Sequence, residues 1–216
     1  MAGAAIAAGA AALVGDGTFT AHMVEHLLFG MVVPVLVALS APTTLVLQAG
    51  GPATKRLVRR VLRSPAGRAL GHPVVGFCLF GAGLVGVYLT PVLQASATND
   101  LVHIAVHVHL VVSGLVFLVP VLGVDALPHP APFPARILAI VAAVPFHAFL
   151  AVAILTADDP LADAYPDLDD QRAAAGLLWA GGELLTVAVA AVVFTRWWQA
   201  EERLGRRAVP SPECPS

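Results

Sequence analysis

The sequence predicts an all-α fold, a polytopic membrane helix bundle of about five transmembrane helices behind a short apolar N-terminal segment. Three observations carry that expectation. Only 12% of the 216 residues are charged and 58% are hydrophobic, whereas soluble domains carry about 25% charged residues. Mean hydropathy is +0.82. Five apolar segments, roughly 21–49, 73–95, 101–122, 136–157 and 173–198, are each long enough to cross about 30 Å of hydrocarbon. A single transmembrane domain over 1–200 and a polar, cytoplasmic tail over 201–216 account for the length and leave no room for a separate soluble domain.

In chain order, the opening MAGAAIAAGAAALVG is apolar but lacks a basic flank, which argues against a signal peptide. It is too short to span and reads as the tail of an upstream helix. Four connections separate the apolar segments: a basic loop (GGPATKRLVRRVLRSPAGRALGH), the short link SATND, a proline-rich turn (VDALPHPAPFP) and an acidic loop (DDPLADAYPDLDDQ). Lys55, Arg56, Arg59, Arg60, Arg63 and Arg68 fall in the first, Arg136 opens the fourth segment, and Arg196, Arg203, Arg206 and Arg207 follow the fifth. Alternate connections are therefore basic. The positive-inside rule places them, with the C-terminus, in the cytoplasm and places SATND and the acidic loop outside. Trp197 and Trp198 beside Arg196 suit the inner interface.

Pro34, Pro42, Pro91, Pro120 and Pro145 lie inside the segments. An interior proline costs about 3 kcal/mol or more in a soluble helix, but membrane helices tolerate it when neighbours resatisfy the backbone. Glycines such as Gly81, Gly83, Gly86, Gly114, Gly176, Gly181 and Gly182 suit close helix approach. Cys78 lies in an apolar run and Cys214 in the tail, with no CxxC pair for redox or zinc chemistry.

Chemistry concentrates in the eight histidines. His22 with His26, and His103 with His107, form two HxxxH pairs. This spacing sets both imidazoles on one helix face, about 6 Å apart at Cβ, close enough to share a metal. Both pairs sit in the first turns of helices that start at the same outer surface. If those helices are neighbours, four imidazoles converge in one layer; otherwise each pair is an interfacial or packing feature. Met23 offers a thioether, although off the shared face. Glu25 is a hydrogen-bond acceptor for an imidazole, an oxygen ligand, or a surface charge. His109, two residues past His107, points to the other side of its helix, and His72 and His129 fall in solvated loops.

His147 and Glu183 lie near mid-bilayer, eleven residues past Arg136 and thirteen past Asp170 respectively. A carboxylate at that depth must pair, coordinate or stay protonated, so a His147–Glu183 pair is expected. It would serve either as an inner relay or ligand site, or as a polar pair fixing helix register. No Gly-rich phosphate loop, nucleophile elbow or Ser-His-Asp set is present, so neither an enzyme nor a nucleic-acid binder is expected. The basic loop reads as topogenic and lipid-facing.

The stretch HMVEHLLFGMVVPVLVALSAP resembles the opening motif of the CtaG family of caa-type cytochrome c oxidase assembly factors. That family reads HMxQH, with Gln common where this chain has Glu25. The run from HIAVHVHL to PFHAFLAVAIL resembles its second block and DDQRAAAGLLWAGGELLT its third, in order and over Phe19 to Arg196. The resemblance implies a non-catalytic role in supplying copper for oxidase maturation in a bacterial plasma membrane, with oxidase subunits and the lipid bilayer as partners. By position it singles out His22, His26, His103, His107, His147, Asp170 and Glu183. Family members usually carry further spans upstream.

Three functions compete, the first of them favoured by the resemblance. The first is a copper-binding assembly factor with an extracytoplasmic histidine cluster, since imidazole suits copper, zinc, iron and nickel. The second is a haem-binding electron carrier using one histidine of each pair. The third is a zinc-dependent membrane hydrolase with Glu25 or Asp100 as its acid or base.

Overall fold

The computed structural model describes residues 17–125 and 127–208; the N-terminal apolar segment and the last residues of the tail lie outside them. The described residues form helices joined by turns, with no strand among them. Four helices are long and apolar enough to cross a membrane, or five if one bent pair is a single broken span.

The first span is a composite. Helix α1 (Phe19–Leu27) runs through a π-helical turn (Leu28–Val32) into α2 (Val33–Leu39). Pro34 explains the turn: it has no N–H for the Gly30 carbonyl and its ring crowds that carbonyl, and a π-turn takes up the mismatch. The unit of 9, 5 and 7 residues rises about 31 Å, enough to span by itself. The apolar run to residue 49 therefore does not continue as one rod. Ala41 adopts a left-handed conformation (φ 52°) because the α region is disfavoured before Pro42, and a separate helix α3 (Pro42–Ala49) follows.

Asp125, from the proline-rich turn, caps α3. Its carboxylate accepts the Thr43 and Thr44 amides at 2.9 and 2.7 Å and the Thr44 hydroxyl at 2.8 Å, satisfying amides the helix leaves without partners. Burial alone would raise this carboxyl, but the bonds from Thr43 and Thr44 outweigh it and hold it below the ordinary aspartate value. A depressed value in the folded state means stabilisation that is present above the unfolded value and lost as pH falls through the folded one. Asp125→Ala is expected to cost about 1–2 kcal/mol, read as a lower melting temperature in detergent at neutral pH, with a smaller deficit in acid.

The basic loop forms two helices, α4 (Pro52–Arg63) and α5 (Pro65–Leu70). On α4, Lys55, Arg56, Arg59, Arg60 and Arg63 share one face, while Leu57 and Val61, both more than half exposed, share the other. The apolar face of α4 has no protein cover, the arrangement of a helix lying in a membrane interface.

The second span breaks. Helix α6 (Pro73–Tyr88) meets α7 (Val92–Thr98) at a 69° bend, where Pro91 cannot supply an amide and the residue before it avoids the α region. Most of the link expected at SATND is thus the end of α7. Asn99 then caps α8 (Asp100–Leu122), accepting the Leu101 and Val102 amides at 3.0 and 3.2 Å. Helices α9 (Phe133–Leu155) and α10 (Leu168–Ala208) complete the bundle. Helix α10 carries on through residues 201–208, so the part of the expected tail that is described is helical, with Glu202 held between Trp198 and Arg206.

Helix α8 is the hub, packing on α6, α7, α2 and the π-turn. Two glycines set its distance. A Cβ at Gly114 would stand 2.5 Å from the Gly30 carbonyl and 2.8 Å from the Pro34 ring; one at Gly76 on α6 would stand 2.6 Å from the Phe117 backbone. These are backbone contacts that only glycine permits. On its outer side α8 presents Leu101, Ile104, Val108 and Val112, each more than half exposed, an apolar stripe at helical spacing that suits lipid.

Candidate metal centre

The two HxxxH pairs meet. Because Gly30, Pro34 and Gly114 draw α1–α2 against α8, the first turns of α1 and α8 face each other at one end of the bundle. Ring centroids of His22 and His26 lie 4.1 Å apart, and those of His103 and His107 lie 4.3 Å apart. Across the helices, His22–His103 and His26–His107 are both 5.3 Å. The four imidazoles form a near-rectangle, two rings from each helix.

Helix α1 is anchored for this task. Thr18 caps it through the Ala21 amide at 3.1 Å. Asp170, at the start of α10, accepts the Phe19 amide at 2.5 Å and the Thr20 amide at 3.3 Å. The Asp170 carboxylate thus fixes the helix end that carries His22, and it is directed at backbone amides instead of the imidazoles. A carboxylate at a helix N-terminus also complements the positive end of the dipole.

Around the rectangle, His22 and His26 are buried while His103 and His107 are partly exposed on the side of Glu25. Glu25 Oε2 stands 3.4 Å from His103 Nε2 and 3.9 Å from His107 Nε2. Ligand atoms of His22, Glu25 and His103 lie within 4.8 Å of one another. The Nε2 atoms of His22, His26 and His107 are buried with no hydrogen-bond partner. Orphaned polar atoms in apolar surroundings carry a free-energy penalty unless something binds them, and imidazoles of His22 and His103 gathered with the Glu25 carboxylate fit a transition-metal ion.

Sequence reasoning missed the residues that orient these rings. Tyr88, at the break of the second span, is fully buried and lies 2.8 Å from His26 Nδ1 through its hydroxyl. The same hydroxyl donates to Met23 Sδ at 3.2 Å. With its one hydrogen on sulfur, the Tyr88 oxygen can accept an Nδ1–H of His26, the tautomer that His26 needs if its Nε2 is to bind a metal. Met23 is accordingly engaged as an acceptor for Tyr88. Ser96 on α7 pairs with His103 Nδ1 at 3.3 Å. Tyr165, in the acidic loop, packs its ring 5.5 Å from His22 and 5.4 Å from Phe19. Burial, then the charges of Glu25 and Asp170, push its hydroxyl up from the ordinary value, so it stays a neutral phenol. Gln171 holds that loop, accepting the Leu161 amide at 2.9 Å and donating to the Ile154 carbonyl at 3.2 Å. A signal for the tyrosines existed: the chain has only two, and both reach the histidines.

The expected His147–Glu183 pair does not form: among the described residues no hydrogen bond or ion pair joins them. His147 packs its ring over Gly182 on α10, where a Cβ would stand 3.1 Å from it. Glu183, the next residue, is turned about 100° away around the helix. Each keeps a buried atom without a partner. His109 points away from the cluster, towards Gly83 of α6.

A family model described as cytochrome c oxidase caa3 assembly factor (Caa3_CtaG) matches residues 1–200. The chain is similar to the uncharacterized protein Mb0105 of Mycobacterium bovis and the uncharacterized protein MT0111 of Mycobacterium tuberculosis, each 30% identical over 210 residues. It is 28% identical to the uncharacterized protein ML1998 of Mycobacterium leprae over the same length. Each match covers 89% of this chain and 32% of the relative, so the chain spans about a third of the length of the curated relatives it matches. No solved structure matches. A multi-pass helical membrane chain, with three motif blocks in family order and a family match along nearly its whole length, belongs to the cytochrome c oxidase caa3 assembly factors.

Proposed function

We propose that the chain binds copper through His22, His26, His103 and His107, with Glu25 at the rim, and presents it for maturation of cytochrome c oxidase. The observation that supports this most is the gathering of His22, Glu25 and His103 ligand atoms within 4.8 Å, beside buried Nε2 atoms of His22, His26 and His107 that have no hydrogen-bond partner. Imidazole with one carboxylate suits copper in either oxidation state. With Met23 engaged by Tyr88, the ligand set is nitrogen and oxygen, which favours Cu(II). The role is that of a carrier, with oxidase subunits as recipients, and needs no catalytic group.

All lysines and arginines except Arg172 fall at the end of the bundle opposite the histidines or beyond it in sequence. Arg172 is paired with Asp169 at 2.9 Å. The positive-inside rule then puts the histidine layer on the extracytoplasmic side of the plasma membrane and the C-terminus in the cytoplasm. Haem fits poorly: the four rings stand 4.1–5.3 Å apart at their centroids, which leaves no slot for a porphyrin between them.

The test is metal analysis with an absorption spectrum on detergent-purified protein loaded with Cu(II), beside a variant with all four histidines changed to Ala. One copper per chain in the parent and none in the variant is expected. A Soret band would establish haem instead, tight zinc with no copper would favour the hydrolase, and a parent that stays empty of all three overturns the metal reading.

A further inference from the structure

Below the histidine layer, His147 is 1% exposed; its ring can bond back to the Ala143 carbonyl one turn earlier through one nitrogen, and the other nitrogen has no partner. Two small adjoining cavities, of about 10 and 20 Å³, are both lined by His147, Met31, Gly30 and Phe80. The smaller is also lined by His26 and Tyr88, and so begins at the underside of the outer cluster. The larger continues towards Thr186 and Val189 on α10. Volumes of this size admit one water or one ion. No carboxylate lines either cavity.

Away from His26 and Tyr88, the donors shared by both cavities are the His147 imidazole and the Met31 thioether; the Thr186 hydroxyl, at the far end, is committed to the Gly182 carbonyl at 2.7 Å. That chemistry selects a soft, singly charged ion of low coordination number. A dication would have to shed its water with no anion to offset the charge, which is prohibitive at such depth. Thioether and imidazole ligands together suit Cu(I). A bond from one nitrogen to the Ala143 carbonyl leaves the second nitrogen as a bare lone pair in apolar surroundings, where a bound ion would satisfy it.

We propose that His147 and Met31 form an inner Cu(I) site, connected through the cavity to His26 of the outer cluster. The site rests on the outer reading only for the identity of the metal. It differs in preference, taking Cu(I) and refusing Cu(II), so the two sites are separable by oxidation state. The π-turn contributes directly, because Met31 lies within Leu28–Val32 and the extra residue per turn sets which side of the helix it faces.

The experiment is anaerobic titration with Cu(I) against a chromogenic cuprous chelator, on the parent, the outer four-histidine variant, H147L and M31L. The parent is expected to take two equivalents of Cu(I). The outer variant should keep one, with a sulfur scatterer in its copper X-ray absorption spectrum. H147L should lose one equivalent from the parent with little change in melting temperature, since the ring's one bond is to a carbonyl within its own helix and the apolar replacement keeps the burial. M31L should lose the sulfur scatterer. One equivalent in the parent and none in the outer variant would overturn the inner site and leave the outer reading standing. One equivalent in both would do the reverse, and no binding in either would remove both. Should the outer variant fail to fold, an unchanged two equivalents in H147L overturns the inner site unaided.

Discussion

Gly114→Val is expected to abolish copper binding without touching a histidine. The Cβ that any substitution adds would stand 2.5 Å from the Gly30 carbonyl and 2.8 Å from the Pro34 ring. Both belong to a helix backbone or a ring locked to it, so neither can swing aside and the two helices must separate. Overpacking of this kind costs about 1–3 kcal/mol, and a branched side chain falls at the upper end. The chemical consequence is larger. The cross-helix spacing of 5.3 Å in both His22–His103 and His26–His107 depends on the approach of α1–α2 to α8. A displacement of even 1 Å puts a four-ligand set outside the roughly 0.2 Å tolerance of metal–nitrogen bonds. Two controls make the result specific. Gly30→Ala meets nothing nearer than 3.7 Å, and Gly86→Ala meets nothing within 4 Å. Both should retain the copper of the outer cluster and a melting temperature at or above that of the parent, since alanine is the better helix former. Copper retained in G114V would show that the outer site does not need this contact.

The part of this legible from sequence was the period-four histidine spacing and the alternation of basic loops, because both are local. HxxxH pairs sit on one face of any helix, and positive-inside counting needs only the order of segments. Adjacency of the first and third spans was not local. It lies in Gly30, Pro34 and Gly114, residues 84 and 80 positions apart, and small residues in membrane helices are too common to single out a pair. The breaks at Ala41 and Tyr88 precede or adjoin Pro42 and Pro91, which sequence reading treated as tolerated kinks. Proline in a span does permit a kink, but the two here end helices because the preceding residues lose the α region as well. Asp170 was carried over as a residue of interest and is seen to hold backbone amides of α1; a cap 150 residues away in sequence has no local signature. His147 and Glu183 were paired by depth, which is a one-dimensional measure, and the angle around α10 separates them.

Tyr88→Phe should weaken copper binding by about 10–100-fold, the usual cost of losing a group that orients a metal-bound histidine, or about 1.4–2.7 kcal/mol. The ring keeps its packing, so what is lost is one oxygen. A metal on His26 Nε2 requires the proton on Nδ1, and the Tyr88 oxygen can accept it there with its own hydrogen directed at Met23 Sδ. In Y88F the imidazole has no acceptor at Nδ1. It is free to place its proton on Nε2, the atom that faces the cluster, and to rotate about its side-chain bonds. Met23→Leu tests the same logic from the other end. It leaves the Tyr88 oxygen in place but removes the second acceptor for its hydrogen, so Tyr88 donates more readily to His26 Nδ1 and favours the tautomer that does not bind. A loss smaller than that of Y88F is expected. Tyr165→Phe is the contrast: its ring stacks beside His22, no described hydrogen bond joins its hydroxyl to a histidine, and its affinity should stay within a few-fold of the parent. Copper affinities by chelator competition give the order, and nitrogen hyperfine structure in the Cu(II) electron paramagnetic resonance spectrum tells whether one imidazole has left in Y88F. Equal affinities in Y88F and the parent, with the same nitrogen count, would mean that the Tyr88 hydroxyl serves packing alone and that His26 is oriented by its helix.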